Sequence, residues 1–326
     1  MQKLLQQILT HYKEFTPSYF NIKNSTTTPT DFILYGSNLN LEILQKFTFL
    51  CDSYQKMSEN FIFIDAYIEY DLVIILFKGT WQEKWKDYAK QLNIDIAKLD
   101  FDAILTQPGL LVMDMDSTMI KMECIDEVAK LAGTGEEVSK ITASAMRGEL
   151  DFEQSLRARV ATLENAPETI LQTVRTSLPF MPGLESMIQS LKKYHWKFAI
   201  ASGGFTYFAD FLKNKFNLDF AISNQFEIIN GKLTGNVKGD VIDAQYKAKT
   251  LCNLSKKYNI PMVQTVAIGD GANDLPMLAQ ANLGAAFHAK PKVQQQAQVV
   301  VNFADLRALL CLLHANEKRQ QLTNTQ

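Results

Sequence analysis

The stretch Leu110-Leu111-Val112-Met113-Asp114-Met115-Asp116-Ser117-Thr118 constrains this chain more than any other. Four apolar residues run without interruption into two acids and two hydroxyl residues. Such a run reads as a strand buried on both faces, as in a parallel sheet, rather than a half-exposed one. Open α/β sheets bind ligands beyond the carboxyl ends of their strands, so Asp114 and Asp116 stand where a ligand would. Two buried carboxylates without a cation are costly, and a divalent ion is the natural compensation. Asp114 is read as a nucleophile and Asp116 as its acid/base partner. The plainer reading of the same letters is a strand followed by an acidic turn.

Two further apolar runs end in comparable groups. Residues 196–201 lead into Ser202-Gly203-Gly204, expected as a strand entering a glycine-rich turn. Residues 263–268 lead into Gly269-Asp270-Gly271-Ala272-Asn273-Asp274. Ser202 and the amides of Gly203 and Gly204 can hold phosphoryl oxygens. Asp270 and Asp274 add hard oxygens of the kind magnesium takes. Lys247, on a helix capped by Asp243, can neutralise charge shared by a phosphate and a nucleophile; Lys249 is its rival. Singly these are a turn, a metal-free loop and a solvated lysine. Together, in order at strand ends, they suit phosphoryl transfer, which needs a nucleophile, a proton donor, a cation and donors for the phosphoryl oxygens.

No β-rich run occurs in residues 123–179. Phe152, Leu156, Val160 and Leu163 recur at helical spacing, and Gly133, Gly148 and Pro167 divide the segment. A helical insertion between strands of an α/β sheet reads as a lid over the ligand crevice. Beyond it the pattern predicts helices at 184–194 and 206–216, and a hairpin turning at Asn230-Gly231. Pro276 falls in the first turn of a helix. Short strands are expected at 283–287 and 299–301, then a helix at 304–313 and a polar tail, 316–326, that frays.

The chain is expected to have an α/β Rossmann-like parallel sheet core in residues 106–122 and 180–315. Residues 123–179 form the inserted helical cap. A small N-terminal α+β domain occupies residues 1–105, with helices at 3–15, 41–54 and 81–92, strands at 32–35, 60–67 and 72–78, and a polar linker at 24–30. That domain holds no acid, histidine or glycine cluster. It reads as a packing or dimerising unit; the sharper reading is a regulatory domain that senses a small molecule.

The 326 residues are 47% hydrophobic, enough for sizeable cores. A net charge of −2 argues against broad nucleic-acid or membrane-surface binding. No apolar run approaches the roughly 20 residues of a membrane span, and the first ten residues are too polar for a signal peptide. Cys51, Cys124, Cys252 and Cys311 are far apart and read as reduced and mostly buried, which fits a cytoplasmic protein. The four histidines are scattered, which disfavours zinc.

The ordered set Asp114-Met115-Asp116-Ser117-Thr118, Ser202-Gly203-Gly204, Lys247 and Gly269-Asp270-Gly271-Ala272-Asn273-Asp274 resembles the four motifs of the haloacid dehalogenase superfamily. Three further stretches, Glu123-Cys124-Ile125-Asp126-Glu127, Arg147-Gly148-Glu149-Leu150-Asp151-Phe152 and Ser155-Leu156-Arg157-Ala158-Arg159-Val160, resemble its phosphoserine phosphatase branch, as does Asp243-Ala244-Gln245-Tyr246-Lys247-Ala248-Lys249. The likeness covers about residues 105–310. It implies hydrolysis of O-phospho-L-serine, the last step of serine biosynthesis, through an aspartyl-phosphate on Asp114, with Asp116 acid then base. It implies Mg2+ on the Asp114 carboxylate, the Asp116 backbone carbonyl and Asp270, with Asp274 in support. Ser202, Gly203 and Lys247 would contact the phosphoryl group, with Asn273 near it. Glu123 would face the substrate ammonium and Arg159 its carboxylate.

Reading one acid and one bidentate base beside a phosphate makes independent sense for phosphoserine. Arg157 competes with Arg159, but Phe152, Leu156 and Arg159 share a helical face and Arg157 points elsewhere. Met115, where an aromatic is frequent in the superfamily, should point into packing. The expected partner is a small-molecule substrate, with neither nucleic acid nor membrane, and a homodimer is the one assembly considered. The competing readings are a broader phosphatase, a phosphate-holding signalling receiver, and a catalytically idle amino-acid sensor.

Overall fold

In the computed structural model the described residues are 30–52 and 61–324. The helix expected at 3–15 and nearly all of the 24–30 linker lie outside them. The first unit is an antiparallel sheet of β1 (Thr30–Gly36), β2 (Phe61–Glu69), β3 (Leu72–Gly79) and β4 (Asp95–Lys98), in the order β2-β3-β1-β4. Helices α1 (Leu41–Asp52) and α2 (Trp85–Gln91) accompany it. Successive side chains of a strand face opposite sides. Phe32, Leu34, Val73, Ile75 and Phe77 accordingly pack with Leu44, Phe47 and Trp85, while Ile33, Tyr35, Ile74 and Leu76 join the main core. Burial on both faces explains why 72–77 reads as a continuous apolar run. Helix α2 starts at Trp85 rather than 81, because Trp81 leaves the helical path to lie edge-on to Phe32 and Trp85. The four-residue β4 was too short to stand out.

The main sheet is built from β5 (Leu110–Met113), β6 (Lys197–Phe205), β7 (Phe220–Ile229), β8 (Lys232–Lys238), β9 (Thr265–Gly269), β10 (Leu283–Phe287) and β11 (Val299–Val301), in the order β11-β10-β9-β5-β6-β7-β8. All pairs are parallel except β7 with β8. The apolar run lies at the centre, as its composition requires. The register decides the rest: Met113 is level with Ile200 of β6 and with Ile268 of β9. Asp114, Ser202 and Asp270 therefore emerge one or two residues later at the same edge. The Asn230-Gly231 turn is a two-residue hairpin with both residues left-handed, as expected.

Between β5 and β6 lie α3 (Cys124–Ala132), α4 (Gly135–Met146), α5 (Phe152–Ala161) and α6 (Thr169–Thr176). Asp151 begins α5 with a reciprocal cap: its side chain accepts from Gln154 N–H at 2.8 Å, and Gln154 accepts from Asp151 N–H at 3.0 Å. The segment's two stems are joined by Lys121 N–H to Pro179 O at 2.8 Å and Met181 N–H to Met119 O at 2.9 Å. The remaining helices are α7 (Leu184–Lys192), α8 (Thr206–Phe216), α9 (Ala244–Lys257), α10 (Leu275–Gln280), α11 (Pro291–Gln294) and α12 (Ala308–Asn324).

Two expectations are corrected. Ser202-Gly203-Gly204 is not a turn: β6 stays extended to Phe205, where pairing with β7 resumes at Asn224 after an irregularity. The residues 316–324, read as a tail, are the last turns of α12. Several of their polar side chains make contacts with the body of the protein. Asn316 is buried and donates to Phe101 O and Ala103 O, Lys318 pairs with Asp65, and Gln320 donates to Asp102 O.

The two sheets are fastened at one carboxylate. Asp95, on β4, is almost fully buried and accepts from the backbone N–H groups of Asn302 at 2.7 Å, Phe303 at 3.1 Å and Ala304 at 2.8 Å. Among the described residues no helix is long and apolar enough to cross a membrane. The four cysteines form no disulfide with one another; Cys51, Cys124 and Cys311 are buried and Cys252 half-buried. Asp95→Ala leaves three N–H donors without an acceptor and should destabilise the protein by roughly 2–4 kcal/mol. Urea unfolding checks this; an unchanged midpoint would show that the fastening is energetically idle.

Candidate active site

Lys247 joins the strand ends. Asp243 caps α9 by accepting from Tyr246 N–H at 2.8 Å, and Lys247 follows one turn later on the buried face. Its fully buried ammonium pairs with Asp114 Oδ1 at 2.9 Å and with Asp274 Oδ1 at 2.7 Å. Burial alone would lower the Lys247 pKa, but the Asp114 and Asp274 charges outweigh it and hold it above its ordinary value. Its rival Lys249 is exposed. Asp274 Oδ2 accepts from Gly271 N–H at 2.9 Å, so both of its oxygens are engaged.

Asp114, Asp270 and Asp274 bring one carboxylate oxygen each to within 4.8 Å of one another. Asp270 has no hydrogen bond of its own among the described residues. Burial first, then the charges of Asp114, Asp274 and Glu123, push its carboxyl up to about 8. A cluster of hard oxygens whose repulsion one lysine leaves uncompensated suits a divalent cation. With Asp274 committed to Lys247 and Gly271, Asp114 and Asp270 are the carboxylates best able to hold one.

Asp116 follows Asp114 by two residues and is also buried. Its Oδ1 accepts from Cys124 N–H at 3.3 Å, at the start of α3. A Cβ built on Gly204 would lie 2.8 Å from Asp116 Oδ2 and 3.3 Å from Ser202 Oγ, which sets all three side by side. Here glycine is required by close approach. Burial, then the charges of Glu123 and Asp114, hold the Asp116 carboxyl well above the usual carboxylate range. Met115 is fully buried in the main core, as expected. A Cβ on Gly203 would lie 2.8 Å from the Phe152 ring and 3.6 Å from Asn273 Nδ2, so α5 closes directly over the strand end.

Glu123 is at the solvent-facing rim, where it accepts from Ser117 Oγ at 2.8 Å. Sequence reading missed this contact: Ser117 adopts a left-handed φ of 56°, which no letter announces. Arg159 is half-buried. Its Nε donates to Ser155 O at 3.4 Å, and its other two nitrogens have no hydrogen-bond partner among the described residues. Arg157 is exposed and pairs with Glu153 at 2.8 Å.

The family model of haloacid dehalogenase-like hydrolases matches residues 109–282. A phosphoserine phosphatase of Haemophilus influenzae is 58% identical over 313 residues, 96% of this chain and 98% of that protein. The crystal structure of a probable phosphoserine phosphatase from Vibrio cholerae, in unliganded form, superposes with a TM-score of 0.81 at 44% identity, covering 97% of this chain and 95% of that one. A phospho-aspartyl intermediate analogue of phosphoserine phosphatase superposes with a TM-score of 0.60 at 40% identity, over 63% of this chain and 98% of that one. By sequence and by fold, this chain belongs to the phosphoserine phosphatases of the haloacid dehalogenase-like hydrolase family.

Proposed function

We propose that this site hydrolyses O-phospho-L-serine to serine and phosphate in two transfers through Asp114. The observation that carries the reading is the contrast between two carboxylates two residues apart. Asp114 is ion-paired to Lys247, whereas Asp116 is buried beside other acids, forms no ion pair among the described residues and is raised in pKa. Two carboxylates whose surroundings differ in this way can take opposite roles. In the first transfer an Asp114 oxygen attacks phosphorus and the P–O bond to serine breaks. Asp116 gives its proton to the departing serine oxygen. In the second, Asp116 takes a proton from water as it attacks phosphorus, which breaks the Asp114 O–P bond and releases phosphate.

Lys247 offsets charge shared by nucleophile and phosphoryl group. Ser202 and Gly203 offer donors to the phosphoryl oxygens, and Asn273 lies beside them. Asp274 keeps Lys247 aimed. Mg2+ is the proposed cofactor, held by Asp114, Asp270 and the Asp116 backbone carbonyl; when bound it supplies positive charge to the phosphoryl oxygens. The all-oxygen donor set and the elevated Asp270 support that assignment.

Phosphoserine also carries an ammonium and a carboxylate. Glu123, at the cap entrance, is proposed to meet the first. Arg159, whose outer nitrogens have no hydrogen-bond partner among the described residues, is proposed to meet the second in bidentate fashion. The receiver reading falls with family membership.

Asp114→Asn should lower kcat roughly a thousandfold or more, measured as phosphate release; near-normal turnover would remove Asp114 as nucleophile. Arg159→Ala should raise KM for phosphoserine about 10- to 100-fold and leave p-nitrophenyl phosphate little affected. Equal effects on both substrates would refute carboxylate recognition. EDTA should silence turnover and magnesium restore it; indifference to the chelator would exclude the metal.

A further inference from the structure

Asn224 is buried in the middle of β7, and both ends of its amide are used. Its Nδ2 donates to Gly203 O at 2.8 Å. Its Oδ1 accepts from Ile242 N–H at 2.8 Å. Gly203 belongs to the strand end beneath Phe152 and beside Asn273. Ile242 immediately precedes Asp243, the cap of α9, and Lys247 N–H is bonded to Asp243 O at 3.1 Å. One side chain thus spans the two segments that bring phosphate donors and the lysine together, segments some forty residues apart in sequence. β6 and β7 fall out of register between Ala201 and Phe205, where the Ser202-Gly203-Gly204 segment lies. There a side-chain amide ties Gly203 to β7.

We infer that Asn224 is a positioning residue for phosphoryl transfer, a cross-brace that sets the distance between the Ser202-Gly203 donors and Lys247. The inference rests on the roles proposed above for Gly203 and Lys247. Only an amide meets both demands, since it presents one donor and one acceptor in a single plane. A carboxylate of the same shape would turn an oxygen toward Gly203 O and push the strand end away. Displacement of catalytic groups by about 1 Å can cost about a hundredfold in rate. Because the brace touches neither Glu123 nor Arg159, its loss acts on the phosphate side alone.

The experiment compares Asn224→Asp and Asn224→Ala with the unaltered full-length enzyme, each checked by circular dichroism and assayed well below its melting temperature. Both variants should lose about 10- to 100-fold in kcat, on phosphoserine and on p-nitrophenyl phosphate alike. The ratio of kcat/KM between the two substrates should stay within about twofold. Inorganic phosphate should weaken as a competitive inhibitor. A residue that only stabilises the fold would lower Tm and leave kcat and phosphate inhibition intact; that result overturns the inference. Failure of both variants to fold overturns it too, because the brace would then hold the fold and not the site. Asp114→Asn reports separately on the underlying reading. If that variant is inactive while the Asn224 variants behave as wild type, only the brace is lost.

Discussion

A lysine with no solvent contact holds this site in shape. Removing one partner of a buried ion pair typically costs about 3–5 kcal/mol, because the charge left behind has no compensation. Lys247 is committed to two such partners, Asp114 at the end of β5 and Asp274 after β9. Three segments far apart in sequence are therefore drawn to one point by charge as well as by sheet register. The register brings strand ends level; the lysine fixes the side chains that leave them. With one positive charge among Asp114, Asp116, Asp270 and Asp274, the site is short of positive charge, and that deficit makes it receptive to a cation and a phosphoryl group.

The remaining architecture divides the work. The sheet edge provides the groups proposed to act on phosphate, and each comes from a strand end or from the first turn of a helix that follows. The helical insertion provides Phe152 over Gly203 and Arg159 near the rim. It is anchored at its stems and also to the hairpin, where Asn165 N–H donates to Leu233 O at 2.9 Å and Leu233 N–H to Ala166 O at 2.9 Å. The first sheet adjoins β11, three strands from β5 in the order of the main sheet. Asp95, Asn316 and the loop at 99–105 bind it to the core through buried polar contacts, so it is not a loosely tethered module.

Much of this was legible in the letters, for physical reasons. The apolar run at 110–113 announced a central strand because only burial on both faces tolerates it. Lys247 over Lys249, and Arg159 over Arg157, were read from motif resemblance and helical phase; Lys247 is buried and Arg159 half-buried, whereas Lys249 and Arg157 are exposed. Hidden features depended on tertiary contact. Ser202-Gly203-Gly204 looked like a turn because glycine usually marks one; here glycine admits Phe152, Met115 and Asp116 at close range. The polar end of α12 looked solvated because nothing local shows that Asn316 will meet carbonyls at 101 and 103. Asn224 carried no motif signal, since its role lies in two backbone groups from other segments.

The most direct test asks whether Asp114 itself becomes covalently phosphorylated. Enzyme mixed rapidly with phosphoserine is quenched and treated with borohydride, which reduces an acyl phosphate to an alcohol, and its peptides are sequenced by mass spectrometry. The account predicts a reduced side chain at position 114, appearing only with substrate and absent from Asp114→Asn. Reduction at Asp116 or Asp270 instead, or none at 114 while turnover proceeds, would contradict it.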